Sequence, residues 1–378
     1  MVEKLTVVFG WRRRKLNYSY LYFGLIGIFL ALTFIVILPV NVGSGYDLHL
    51  RSVSEIDSNF VNNMVSKSKK FSVEETMNMS IVYPFKADPW FGYINQEGEI
   101  TYREKFDYKV EMSHRYFINY SLFNSSLRIK NQEGHIVSII DSKGYPLLRE
   151  HADVLYVLKN YGSNLSSFAF SGESLWSRQF LMPISCFSAR GSHALIGISN
   201  GSIFLVEKSG ITVSSFFSDS SRLPVTIGCS LNPSNLVVAI MGIEPQYLYV
   251  LDMSDGLSPT VLHEIVLGSS FRREVPIGIT TDNRYVFYPT ETQLMGLDLE
   301  TGKVKSIIDL KVEDMFLNGN IVFFLGRNDK YRLLVWATTD GKVLGSLDLQ
   351  DQITINVSDN NIFMGLDTKL LSINIGNR

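Results

Sequence analysis

Taken as a string of apolar and polar positions, the chain repeats one phrase. A short run rich in Val, Ile, Leu, Phe and Tyr ends in a polar turn that closes on glycine, and a second apolar run follows. Clear instances are "VLDMSDG" (250–256), "LDLETGKVKSIIDL" (297–310), "ATTDG" (337–341) and "NQEG", written at 95–98 and again at 131–134. This pattern predicts short strands joined by tight hairpins. Asp, Asn and Ser bond their own backbone in turns, and glycine accepts the positive φ that such a hairpin demands. No long helical pattern separates the runs, which argues against a parallel α/β sheet.

The closing glycines are Gly98, Gly134, Gly172, Gly210, Gly256, Gly302 and Gly341, at gaps of 36, 38, 38, 46, 46 and 39 residues. A near-constant period in this range marks a repeat architecture. Two units, "RYFINYSLFNSSLRIKNQEGHIVSIID" (115–141) and "RYVFYPTETQLMGLDLETGKVKSIID" (284–309), align over their whole length. A further short strand ending in a polar turn precedes each pair, as in "VPIGITTDN" and "ITINVSDNN", so each unit holds four strands. That repeat fits a propeller blade better than a sandwich, which lacks a fixed period.

With its strand and D-x-x-x-G hairpin, as in "LDLETG" and "LDMSDG", the chain resembles the WD40-like and pyrroloquinoline-quinone-like β-propeller superfamily. The resemblance covers residues 71–378 and implies an all-β ring. No blade ends in a Trp-Asp pair and no Gly-His pair opens one, so true WD40 signatures are absent. Third strands are expected at "FGYIN", "SLRIK", "SSFAF", "SIFLV", "YLYVL", "QLMGL", "RLLVW" and "KLLSINI". Eight blades are therefore favoured. Because the chain stops just after the last run, a strand from the N-terminal side must complete the final blade, and 46–52 ("YDLHLRS") alternates as that strand should. If 99–105 closed the ring instead, seven blades would result and 71–95 would be an accessory.

Ahead of the repeats, Leu21 to Val40 is a run of 20 uncharged residues, preceded by Arg12, Arg13, Arg14, Lys15 and by Tyr18, Tyr20 and Tyr22. As a helix it spans roughly 30 Å, the apolar thickness of a bilayer, and the basic cluster favours a cytoplasmic N-terminus. A signal peptide has a shorter apolar core, so a retained anchor is expected. The predicted organisation is a cytoplasmic segment at 1–16, a transmembrane helix at 17–40, a linker at 41–70 and the propeller at 71–378. The linker holds the closing strand and a stalk helix. Ile56, Phe60 and Met64 give that helix its apolar face, and Ser54 with Asp57 gives it a capping box. Everything after Val40 is expected in the periplasm or an equivalent exterior space.

Charge narrows the function. The formal net charge of -2, from 35 basic and 37 acidic residues, argues against a nucleic-acid binder. Cys186 and Cys229 are the only cysteines, too few for a disulfide framework; they are expected at equivalent positions of neighbouring repeats, as buried thiols or as a disulfide pair. His114, His151 and His193 fall near turns of successive blades, too widely spaced for a shared metal. Asp252, Asp298 and Asp340 are expected as turn residues. Resemblance to quinoprotein dehydrogenases would imply an adjacent cysteine pair and tryptophan-rich blades. Here the cysteines stand 43 positions apart and four tryptophans occur. No catalytic residue, metal ligand or cofactor site is expected.

The reading that follows is a membrane-anchored extracytoplasmic propeller serving as a protein interaction scaffold, with a partner in a bacterial envelope complex. The candidate interaction loop is "GSSFRREVP" (268–276), with Phe271, Arg272 and Arg273, since arginine and aromatic residues are common interface anchors. Resemblance also extends to the periplasmic propeller that assists outer-membrane protein insertion. That family is lipid-anchored, whereas no cysteine follows the apolar run here. The alternative function is a ligand-binding or hydrolytic enzyme that uses the central channel.

Overall fold

Hairpin after hairpin forms where the turn residues predict it. The computed structural model describes residues 46–55, 82–87, 89–121, 123–149, 152–254, 258–318, 321–328, 332–349, 353–358, 361–366 and 369–377. Among them the sole helical element is a single 3-10 turn at Asn160–Gly162; the regular structure is otherwise strand. The all-β expectation is borne out. No helix among the described residues is long and apolar enough to cross a membrane, and the expected anchor at 17–40 lies outside them.

Seven sheets have four strands, laid down in an antiparallel order that we label a to d. Blade I spans Lys109–Ile140, blade II Tyr145–Gln179, blade III Ile184–Phe217 and blade IV Leu223–Leu267. Blade V spans Gly278–Ile308 and blade VI Lys311–Leu349; blade VII combines Ile353–Asn377 with Tyr46–Glu55. The remaining sheet, Val82–Lys105, has three strands. Eight full blades were expected and seven are present, because among the described residues no fourth strand pairs with Val82–Lys105. The eight runs read as third strands all fall on strands, "FGYIN" on the middle strand of that smaller sheet.

Strands a lie innermost. Ile184–Arg190 contacts Leu223–Leu231, which contacts Gly278–Ile279; the series continues through Lys311–Asn318 to Ile353–Ser358. The three-stranded sheet packs between blades VII and I. Tyr83, Phe85 and Ile94 share a core with Phe363, while Phe91, Tyr93 and Tyr102 share one with Val110 and Phe117. Each b strand is buried on both faces, its alternate residues serving opposite neighbours. Leu155 and Val157 pack toward blade I, whereas Tyr156 packs toward blade III. This explains why "LVVAIMGI" of blade IV reads as continuous apolar sequence rather than as a half-buried alternation.

The segment expected to close the last blade does close it. Tyr46–Glu55 pairs antiparallel with the c strand of blade VII, from Tyr46↔Asn377 to Glu55↔Lys369, with a bulge between Leu50 and Ser52. Pairing gives the c-strand edge a partner. It also extends three residues past the expected end and takes in Ser54, which pairs with Leu370. Ser54 is thus a strand residue and caps no helix; the remainder of the expected stalk helix lies outside the described residues.

Candidate functional site

An a-b-c-d antiparallel blade sends its b–c turns and the connections to the next blade out on one face, and its a–b and c–d turns out on the other. The two faces differ chemically. On the first stand Phe123, in the b–c turn of blade I, Tyr161, in that of blade II, and Leu181, between blades II and III; all three are fully exposed. Tyr108, Tyr145, Met182, Phe217 and Leu223 add partly exposed apolar surface at the ends of strands on the same face. The turns 160–163, 180–183 and 199–201 contain no charged residue. Tyr161 takes a left-handed backbone (φ 56), within a turn that its own side chain does not pack against.

On the opposite face the acidic turn residues are self-satisfied, and the exposed apolar residues there, Ile136 and Ile211, stand beside c–d turns. Asp298 Oδ1 accepts from the backbone amides of Glu300 and Thr301 at 3.0 and 3.2 Å, and Asp252 Oδ1 accepts from that of Ser254 at 3.0 Å. The Asp340 carboxylate accepts from the Thr338 hydroxyl. All three acids shape turns. His114 packs edge-on against Tyr83, with ring centres 5.7 Å apart, while His193 pairs in register with Arg190 and Glu207. His151 lies outside the described residues. Among those described, no group of three or more His, Cys, Asp and Glu side chains is placed to hold a metal. Tyr46 joins the ring on this face, opposite Asn377.

The predicted loop is split by the structure. Phe271 is partly buried against the core shared by blades IV and V. Its amide donates to Gln246 Oε1 at 3.0 Å, and its carbonyl accepts from Gln246 Nε2 at 2.6 Å. Gln246 is itself fully buried, so Phe271 belongs to the fold. Arg272 and Arg273 are exposed, on the same face as the apolar tips. Loop composition alone drew attention to this segment. The tips at Phe123, Tyr161 and Leu181 were missed because an apolar residue beside a strand reads as core.

Toward the axis, Arg149 acts on both Glu111 and Glu274, and Glu111 acts on Lys86, whose Nζ donates to the Val110 carbonyl at 2.9 Å. Burial raises the pKa of Glu111, against the opposing pull of Lys86, Arg149 and Lys109. Burial likewise raises Glu274, with Arg149 opposing, and lowers Lys86, with Glu111 opposing.

A protein-family model described as a β-propeller protein matches residues 14–378, and the chain belongs to that family. A protein of Treponema pallidum (strain Nichols), described as uncharacterized, is 21% identical over 299 residues, 77% of this chain and 78% of its own. BamB from Moraxella catarrhalis superposes with a TM-score of 0.60 at 12% identity, covering 86% of this chain and 99% of that one. The computationally designed protein Ika8 gives 0.57 at 11% identity, covering 78% and 94%. At these identities the structural likeness concerns the fold.

Proposed function

We propose that this propeller is a membrane-anchored, extracytoplasmic scaffold that docks a protein partner of a bacterial envelope complex on its apolar turn face. One observation carries the reading: fully exposed Phe123, Tyr161 and Leu181 stand on one face of a rigid ring, in successive blades, amid turns lacking charge. Exposed apolar patches of this kind mark interaction sites, and aromatic anchors dominate interface energetics. Arg272 and Arg273 stand on the same face. The basic cluster and apolar run of residues 12–40 support the anchor, and the bacterial origin of the Treponema and Moraxella proteins supports the setting. In this reading the three-stranded sheet takes an eighth blade position, consistent with its packing between blades VII and I.

The test is cross-linking of the full chain in native membranes, followed by purification and mass spectrometry. Wild type should recover a stoichiometric envelope protein that a Phe123→Ser, Tyr161→Ser, Leu181→Ser variant loses. Equal recovery by both would overturn the reading. Glu111 and Glu274, two carboxylates on which Arg149 acts, favour the ligand-binding or hydrolytic alternative in one respect. A scaffold predicts that Glu111→Gln with Glu274→Gln leaves partner recovery unchanged.

A further inference from the structure

Cys186 sits on the inner strand Ile184–Arg190 of blade III and Cys229 on the inner strand Leu223–Leu231 of blade IV, and these strands touch. Both cysteines are free thiols, and both side chains lie at the boundary of blades III and IV: the Cys186 sulfur and Thr226 of blade IV converge on Gly197, and Cys229 packs against the core that the two blades share. Room for the Cys186 sulfur comes from Gly197, which pairs with Cys186 in register; a Cβ on Gly197 would collide with that sulfur and with Thr226. The two thiols differ in access, Cys186 being buried and Cys229 partly exposed. Buried cysteines often serve only as small apolar residues. Here, a partly exposed thiol and a sealed one stand on touching inner strands, which is the layout of an entry thiol and a resolving thiol.

We propose that Cys186 and Cys229 form a thiol–disulfide exchange site that covalently staples blade III to blade IV when the protein meets a disulfide oxidant. Cys229, as thiolate, attacks one sulfur of the oxidant RSSR, giving a Cys229–S–S–R mixed disulfide and releasing RS⁻. The departing RS⁻ takes the Cys186 proton as RSH, and the Cys186 thiolate attacks the Cys229 sulfur; the S–S bond of the mixed disulfide breaks and a second RS⁻ leaves. Two protein thiols are oxidised to one disulfide, and one oxidant disulfide is reduced to two thiols. Burial pushes the Cys186 thiol well above its usual range and seals it from the oxidant, so the partly exposed Cys229 reacts first. Bond formation needs Cβ atoms about 3.8 Å apart, so the two inner strands must already be neighbours, as they are. This site stands on its own geometry and does not depend on the docking face.

The experiment treats the full-length protein, in detergent micelles, with oxidised glutathione, followed by intact mass and non-reducing peptide mapping. The expected product has lost two hydrogen masses and yields one cross-linked peptide containing Cys186 and Cys229. In Cys186→Ala the first step has no resolving partner, so glutathione should remain attached at Cys229. A stable glutathione adduct on the wild-type protein would overturn the proposal, because it would show that Cys186 cannot reach the entry thiol. So would two thiols that stay unreactive until denaturant is added.

Discussion

The indole Nε1 of Trp176 donates to the backbone carbonyl of Lys208 at 3.1 Å, tying the outer strand of blade II to the c–d turn of blade III. Gly210, in that same turn, lies against the indole: a Cβ there would stand 2.8 Å from Trp176 Cγ. Gly134 meets the Tyr102 ring in the same way, as Gly172 meets Ser138 and Gly341 meets Ile307. At these four turns the glycine therefore has two causes, a left-handed turn and a neighbouring blade that fills the space a side chain would take, whereas at Gly302 the turn alone requires it.

This gives a quantitative contrast. Gly210 (φ +88) combines positive φ with a crowded neighbour, whereas Gly191 (φ +54) has nothing within 4 Å. Gly191→Ala should cost about 1 kcal/mol, the left-handed backbone alone, and Gly210→Ala about 3 kcal/mol, since overpacking adds to it. Chemical denaturation of the two variants measures the difference.

Glu104 joins the three-stranded sheet to blade I. Its carboxylate accepts from Lys130 Nζ at 2.9 Å, from Asn119 Nδ2 at 3.0 Å and from the Tyr102 hydroxyl. Burial pushes its pKa up, but the hydrogen bonds from Tyr102, Lys130 and Asn119 outweigh that and hold it below the usual carboxylate value. A carboxylate whose folded pKa is depressed adds stability in full above its unfolded value, about 4.3, and loses it as pH falls through the folded value. Glu104→Gln should therefore be less stable than wild type by about 2 kcal/mol at neutral pH. The gap should narrow on acidification below about pH 4, as read from denaturation midpoints across pH.

Gln246 satisfies the backbone of the connection between blades IV and V, bonding both the amide and the carbonyl of Phe271 and accepting from the Ser269 hydroxyl at 3.2 Å. Gln246→Ala removes all three partners and leaves a buried gap. A loss of about 2 to 4 kcal/mol is expected. Hydrogen exchange should locate the loosened amides at residues 269–275 rather than across the ring.

Phe123→Ser, Tyr161→Ser and Leu181→Ser act on side chains that are fully exposed. Each should change stability by less than about 0.5 kcal/mol, the usual range for surface substitutions. A larger loss in thermal denaturation would show that these residues serve the fold and would remove them as docking anchors.

Much was legible because it is local. Strand, turn and strand lie within a dozen residues, and Asp298 bends its own turn by accepting from amides two and three positions ahead. Alternation in 46–52 suffices to mark a strand. Ser54 misled, because its partner Leu370 lies at the other end of the chain and local capping chemistry carries no information about it. Phe271 misled for a related reason, since Gln246, which fixes it, stands 25 positions earlier.

The sequence by itself determined the all-β repeat, its hairpins and the strand that completes the last blade, since turn chemistry and side-chain alternation are settled between near neighbours. Tertiary structure alone decided that among the described residues seven sheets hold four strands and one holds three, that the strands of Cys186 and Cys229 touch, and that Phe123, Tyr161 and Leu181 face outward together. Those outcomes depend on contacts between blades, dozens of residues apart in sequence, where an apolar side chain looks the same whether a neighbouring sheet covers it or water does.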